Sequence, residues 1–382
     1  MIYLDYAATT PMSATARDVY TSVAERFFGN SSSLHDAGSE AKSVLESSRS
    51  ILAGICNVSE RGLYFTGSGS EANFLAIVSL ANAHREKGHH LITTEVEHSS
   101  VTNTFSWLEK QGFEVTRIGV NRDGRVNTDE LEKVIRPDTI LLSIQHANSE
   151  TGTLQDLKAI GEIAKKNKLL FHSDCVQTFC KLQIDPKAWN LDAFSVSAHK
   201  VHGPKGLGAA WIDPKTDWKP FIEAASQERR FRPGTVDVPA VASFAAAARE
   251  FWPQRNSYMA KMEKLRILFI DELAPLTKEH ILAEGSNTHR LPNILGLRIT
   301  NMEGQFAMLE CSQQGIGIST GSACQVNEQK PSPSLLAMGY DEHDARQFIR
   351  CSFGNGNTED EIKKAAAVLK QVTEKHSNFV KS

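Results

Sequence analysis

Between about residues 60 and 215 the chain alternates short apolar runs with segments whose apolar residues recur at helical spacing. Leu63–Thr66, His90–Thr93, Glu114–Ile118, Thr139–Ile144, Leu169–His172, Ala193–Ser197 and Gly208–Ile212 read as strands. Between them, segments such as Glu71–Ala83 and Leu157–Lys166 place apolar side chains at i, i+3, i+4 and i+7. Strands that are apolar on both faces need cover on both faces, and crossover helices between parallel strands supply it. The pattern therefore predicts an α/β fold around a mainly parallel seven-stranded sheet. Ligands in such sheets settle beyond the carboxyl ends of the strands.

After about residue 250 the rhythm changes. A helix-like stretch from about Ala240 to Asp271 is interrupted by Pro253, and NILGLRIT reads as a strand. Gly304–Ser312 reads as a helix, IGISTGSAC as a strand running into a loop, and Glu359–Lys375 as a polar-faced helix. The expected division is a large domain over 13–255 and a smaller α+β domain built from 1–12 and 256–382. A chain of 382 residues can bury two such cores.

The net charge of −3 makes no electrostatic case for nucleic acid or an anionic membrane as a direct partner. No apolar run approaches the ~20 residues of a membrane span. Met1 leads directly into IYLDYAATT, without the parts of a signal peptide, so a cytoplasmic location is expected. The cysteines at 56, 175, 180, 311, 324 and 351 form no C-x-x-C pair, which disfavours a disulfide framework and a structural zinc site alike. Most of them read as small core residues.

The chemistry begins with AFSVSAHKVHGPKG (193–206), where an apolar strand ends by presenting Lys200 between His199 and His202, just before a glycine and proline turn. Partial burial and a neighbouring cation would help that lysine shed its proton and act as a nucleophile. In YFTGSGSEANFLAIVSLA (64–81) a strand ends in Gly67-Ser68-Gly69-Ser70 and a helix starts at once. Such a helix start is an anion site, or equally a small-residue turn with a serine cap. Neither the P-loop pattern nor G-x-G-x-x-G is present there, so nucleotide binding is not favoured. In LLFHSDCVQTF (169–179), Asp174 follows a strand, either as a helix cap or as a carboxylate that keeps a pyridinium nitrogen protonated. A phosphate cradle, a strand-end aspartate and a strand-end lysine are together what pyridoxal 5'-phosphate requires, with Ser197 and His199 as further phosphate ligands. His98, in TTEVEHSSV, is either a satisfied polar residue or an imidazole that stacks on the ring and moves protons. Cys324, in GIGISTGSACQVNEQKPSPS, is either an incidental exposed thiol or a nucleophile acting as its thiolate.

The sequence resembles the NifS/IscS-like cysteine desulfurases, fold-type I pyridoxal-phosphate enzymes of the class V aminotransferase group. The likeness runs through YLDYAATTP, FGNSSSLH, TGSGSEANFLAI, TEVEHSSV, SIQHANSETG, HSDCVQT, SVSAHKVHGPKG, FRPGTVDVP, STGSAC and IRCSFGNGNTEDEI, nearly the whole chain. The resemblance implies a homodimer that converts L-cysteine to L-alanine. It implies Lys200 as Schiff-base lysine and α-proton base, Asp174 on the pyridine nitrogen, Gln177 on the ring's phenolic oxygen and His98 against the ring. Gly69, Ser70, Ser197 and His199 would bind the phosphate, with Thr235 supplied by the second subunit. Arg350 would grip the substrate carboxylate, and Cys324 would take the sulfur as a persulfide. That sulfur would pass to an acceptor protein: an iron–sulfur scaffold, a tRNA-thiolation protein or a dedicated client. No metal is expected.

Several positions depart from the family's commoner pattern. Ser149 stands where a ring-contacting asparagine is usual, Ala224-Ala225-Ser226-Gln227-Glu228 replaces a glycine-rich run, and Pro233 replaces a serine. Gly69-Ser70 replaces Ala-Thr and retains the hydroxyl. The stretch after Cys324 matches the longer-loop branch of the family. The rival readings are a selenocysteine lyase or another class V aminotransferase or lyase, which would share Lys200 and Asp174. More remote are a non-catalytic sulfur carrier and a metal hydrolase built from His172, Asp174, His199 and His202, for which no H-E-x-x-H exists.

Overall fold

The computed structural model describes residues 1–276, 280–320 and 331–381, with side chains as far as His376. Among these residues the strands are β1 (Ile2–Tyr3), β2 (Leu63–Thr66), β3 (His90–Thr94), β4 (Glu114–Ile118), β5 (Thr139–Ser143) and β6 (Leu170–Asp174). They continue with β7 (Ala193–Ser197), β8 (Gly208–Ile212), β9 (Ile281–Glu284), β10 (Ile294–Ile299), β11 (Ile316–Gly317) and β12 (Phe348–Ser352). The central sheet has seven strands in the order β2-β8-β7-β6-β5-β3-β4. Only β8 runs antiparallel to its neighbours; the other adjacent pairs are parallel. Every residue of β3, β5, β7 and β8 is buried, as the apolar runs require of strands covered on both faces. The edge strand β4 is the polar one, EVTRI, with an exposed Glu114.

The strands read from the sequence are strands in the structure, with one change that matters. The third from the end is Leu170–Asp174 rather than Leu169–His172, because Asp174 pairs with Ser195 of β7 before the chain turns away. Asp174 is thus the last residue of a strand, not a residue beyond it. The long helical stretch is two helices, Val238–Phe251 and Arg255–Leu273, joined by a turn over Trp252–Gln254. Pro253 lacks the N–H that would continue the ladder, which accounts for the break. The C-terminal helix runs from Glu359 to Lys381, beyond the expected Lys375. No helix among the described residues is long and apolar enough to cross a membrane.

A second sheet, β12-β10-β9, is antiparallel. The N-terminal strip joins this region: β1 pairs in parallel with β11, and Asp5 bridges to Ser352 at the end of β12. The strip then crosses back to the large sheet, where Thr10 N–H donates to the carbonyl of His199. We propose the division 13–255 against 1–12 plus 256–382 on this basis, since the seven-stranded sheet is complete by Ile212 and the other strands lie outside 13–255.

One buried ion pair locks the start of the large sheet. Glu228 accepts from Arg49 at 2.7 and 2.9 Å and from the Phe65 N–H of β2 at 2.7 Å. Both side chains of the pair are 2% exposed. Glu228 opens a run of three non-glycine residues with positive φ, at 47°, 55° and 74° for Glu228, Arg229 and Arg230. A left-handed backbone costs about 1–2 kcal/mol per residue, so the carboxylate anchors a strained segment. Removing one partner of a buried pair costs about 3–5 kcal/mol, and here Glu46 remains on Arg49 to offset part of it. Glu228→Ala is therefore expected to lose about 3 kcal/mol, read as a lower urea midpoint; a midpoint equal to that of the parent would contradict this account.

Candidate active site

The carboxyl ends of β3, β5, β6 and β7 and the turn after β2 open on one cleft of about 440 Å³. Gly69, Ser70, His98, Ser149, Asp174, Gln177, Ser197, His199, Lys200 and Arg350, all singled out from the sequence, line it. Thr235 does not; it is exposed, outside the cleft of its own chain. Cys324 lies outside the described residues.

At one end, Ser68 caps the helix Gly69–Ala83, its Oγ accepting from Glu71 N–H at 3.0 Å. The serine-cap reading is therefore correct for Ser68, and it leaves Gly69 and Ser70 in the first turn at the cleft. A Cβ on Gly69 would stand 2.9 Å from Cβ of Ser197, so only glycine lets the helix start approach the end of β7 so closely. Ser197 Oγ is buried and has no hydrogen-bond partner among the described residues. His199 contacts Thr9 Oγ1 at 3.1 Å. Burial, aided by Lys200 and Lys205, pushes its pKa down to about 4, so it is a neutral imidazole.

Asp174 Oδ1 accepts from Val176 N–H at 2.9 Å, closing a turn. No helix starts there, so the helix-cap reading falls. Oδ2 accepts from Asn73 Nδ2 at 2.7 Å, and Asn73 also donates to Ser100 Oγ at 3.0 Å. Ser100 in turn meets His98 Nδ1, through its hydroxyl at 2.8 Å and its N–H at 3.2 Å. Because Nδ1 accepts the backbone N–H, the ring proton resides on Nε2. Burial lowers the His98 pKa and Lys200 adds to this, while Asp174 opposes it. His98 is thus both the cap of helix Ser99–Lys110 and a neutral ring at the cleft.

Lys200 ends the single turn Ala198–Lys200 that follows β7. Its Nζ donates to the carbonyls of Ala7 and Ala8, the latter at 2.9 Å. Both are backbone acceptors, and among the described residues no carboxylate pairs with the ammonium. Burial, reinforced by Arg350 and Lys181, pulls its pKa down to about 7, with Asp5 and Asp174 acting the other way. Lys181 is itself buried, lowered to about 8 by desolvation, and donates to Gln177 O at 2.9 Å. Gln177 Nε2 donates to Ala7 O at 3.1 Å, while its Oε1 has no partner among the described residues.

Arg350, on β12, reaches in from the other sheet. Its Nη2 lies 2.7 Å from Asp5 Oδ1 and its Nη1 donates to Ser149 O at 2.9 Å. Sequence reading did not find Asn73, Ser100, Asp5 or Lys181 in the site. The metal-hydrolase reading fails on His172, which is wholly buried with Nδ1 on Ser143 Oγ and Nε2 on Ser195 Oγ, its pKa pushed down to about 3 by burial. His202 turns to Pro11 O at 3.0 Å. Among the described residues no three His, Cys, Asp or Glu side chains converge as a metal site would require.

The chain also resembles known proteins in sequence and fold. The family model Aminotransferase class-V matches residues 2–365. A protein of Halalkalibacterium halodurans, provisionally named cysteine desulfurase NifS, is 45% identical over 98% of this chain and 99% of its own. Cysteine desulfurase IscS of Methanosarcina thermophila is 37% identical over 99% of this chain and 93% of its own. Among solved structures, a NifS-like protein matches with a TM-score of 0.90 at 32% identity, covering 98% of this chain and 99% of that one. SspA in complex with cysteine matches with a TM-score of 0.81 at 31% identity, covering 92% and 99%.

Pyridoxal 5'-phosphate is the cofactor of such enzymes, and the cleft fits it on its own terms. Its volume lies in the range of small-molecule sites. Three buried polar atoms without a hydrogen-bond partner among the described residues, Ser197 Oγ, Gln177 Oε1 and Asn73 Oδ1, belong to residues that line it. A helix start with a glycine close approach, a carboxylate at the end of β6 and a desolvated amine after β7 all face it.

Burial disfavours the cation, so the free amine of Lys200 predominates above about pH 7 and is lost below it. Reductive methylation of the cofactor-free protein, followed peptide by peptide across pH, is expected to show a midpoint near 7 at Lys200. A midpoint near ~10.4, the ordinary lysine value, would contradict this.

Proposed function

Because the chain belongs to the class-V aminotransferase family, we propose that it is a pyridoxal-phosphate-dependent cysteine desulfurase. L-cysteine and the Cys324 thiol give L-alanine and a Cys324 persulfide. The observation that carries this reading is at the root of the Cys324 segment. Ser319 and Arg350 exchange both backbone hydrogen bonds, at 2.6 and 3.1 Å, so the chain pairs with the residue that would hold the substrate shortly before it reaches Cys324 in sequence. A transaminase would need Lys200 and Asp174 but no thiol delivered there.

Pyridoxal phosphate, when bound, supplies an aldehyde for an amine and a ring that draws electrons from the α-carbon. The protein does the rest. Gly69, Ser70, Ser197 and His199 would hold the phosphate with backbone amides, hydroxyls and a neutral imidazole. Asp174, oriented by Asn73 and Val176, would keep a proton on the ring nitrogen. Lys200 would provide the amine and move the substrate's α-proton, His98 would face the ring with its proton on Nε2, and Gln177 and Ser149 would contact the ring. Arg350 takes the α-carboxylate. The Cys324 thiolate attacks the substrate sulfur: the S–S bond forms, the C–S bond breaks, and its electron pair stays with carbon, which takes up a proton.

The proposal extends to a homodimer in which Thr235 serves the partner's cleft. In support, Thr235 is exposed, and the exposed apolar Phe28 and Leu34 flank Ser32, which bonds Gln227 at 3.1 Å a few residues upstream of Thr235. The sulfur acceptor would be a protein, such as an iron–sulfur scaffold, a tRNA-thiolation protein or a dedicated client. A reducing, cytoplasmic setting agrees with the free thiols of the five described cysteines.

Cys324→Ser is expected to retain the cofactor's visible absorbance and to lose release of alanine and sulfide from L-cysteine. Sulfide release at the parent rate would remove Cys324 from the mechanism and favour a lyase that needs no thiol.

A further inference from the structure

One turn of the N-terminal strip holds the side chains of both Lys200 and Arg350. The carbonyls of Ala7 and Ala8 take Lys200 Nζ, and two residues earlier Asp5 Oδ1 takes Arg350 Nη2 at 2.7 Å. The turn is tied to the strand that bears Arg350. Ala7 N–H donates to Ser352 Oγ at 2.9 Å, Tyr6 N–H to Ser352 O at 3.3 Å, and Ser352 N–H to Leu4 O at 2.7 Å. Asp5 and the carbonyl of Ser149 grip different terminal nitrogens of Arg350, which fixes the plane of the guanidinium as well as its position. The ion pair is largely buried, 3% exposed at Arg350 and 18% at Asp5, so solvent screens it little. A guanidinium recognises a carboxylate through parallel N–H donors in one plane, and a fork already held in that plane loses less on binding.

We infer that Asp5 is a positioning residue for substrate specificity. It holds the carboxylate-binding edge of Arg350 at a set distance from the Lys200 amine, so that the cleft selects amines with a carboxylate on the adjacent carbon. The turn from Asp5 to Ala8 works as a spacer between the two groups. The inference rests on the reading that Arg350 receives the substrate carboxylate. Asp5 touches neither substrate nor cofactor on this account; it acts through Arg350.

The test uses the cofactor-loaded full chain with Asp5→Ala, Asp5→Asn, Asp5→Glu and Arg350→Ala, each with L-cysteine and with cysteamine, an aminothiol that lacks the carboxylate. For each amine the half-saturating concentration is read from the change in cofactor absorbance, and KM and kcat are measured for alanine formation. Asp5→Ala is expected to raise KM and the half-saturating concentration for L-cysteine by about tenfold, the effect of one hydrogen bond to a charged group. It leaves kcat and the cysteamine value near those of the parent. Asp5→Asn, which keeps the shape and one acceptor oxygen, falls between the two, and Asp5→Glu restores part of the loss. Asp5→Asn alone carries the test if Asp5→Ala does not fold.

If the Asp5 variants bind L-cysteine as the parent does while Arg350→Ala binds it poorly, the role of Asp5 is refuted and that of Arg350 stands. If Arg350→Ala leaves the ratio of L-cysteine to cysteamine unchanged, the carboxylate reading itself fails and takes the inference with it. Equal losses for both amines in the Asp5 variants would show a merely structural residue and overturn the proposal.

Discussion

The site depends on one enclosed lysine amine that has no carboxylate partner among the described residues. Lys200 stands past the end of a buried strand, and two backbone carbonyls take its hydrogen bonds where a carboxylate would otherwise sit. A carboxylate partner would favour the cation and silence the nucleophile; carbonyl dipoles orient the amine and leave desolvation in command. Arg350 and Lys181 add two positive charges, and Asp5 and Asp174 partly offset them. The N-terminal strip, remote in sequence, therefore helps to enclose and orient the amine.

The sheet supplies the geometry. Because β3, β5, β6 and β7 are parallel, the residues that follow them emerge on one edge. The chain passes from β3 out to β4, then returns to β5 on the other side of β3 and proceeds to β6 and β7. That reversal of winding opens the crevice into which His98, Ser149, Asp174 and Lys200 project. The antiparallel β8 brings Gly208 against the turn after β2, where a side chain would strike the backbone of Ser68. From there the network Asp174–Asn73–Ser100–His98 links the carboxylate at one strand end to the imidazole at another, and sets the tautomer of the second.

Much of this was legible in the sequence, for a physical reason. Strands buried on both faces must be apolar throughout, so β2, β7 and β8 were readable to the residue, and the polar edge strand β4 through its β-branched residues. Strand ends were also where unusual side chains announced themselves, as at Asp174 and Lys200. What remained hidden was partnership across the chain. Asn73 meets Asp174 across 101 positions, Arg49 meets Glu228 across 179, and Arg350 meets Asp5 across 345, and no local pattern marks such pairs. His98 was read as a choice between satisfied and functional, yet it caps a helix with one ring nitrogen and leaves the other for the cleft. The short β1 has too few residues for any period to show, whereas β11 falls within the strand read in IGISTGSAC.

The most direct test of the central claim is chemical. Borohydride reduction of the protein loaded with pyridoxal phosphate, followed by peptide mass mapping, is expected to place the pyridoxyl group on Lys200 alone. A label on Lys181 or Lys205, or none on any lysine, would contradict the account.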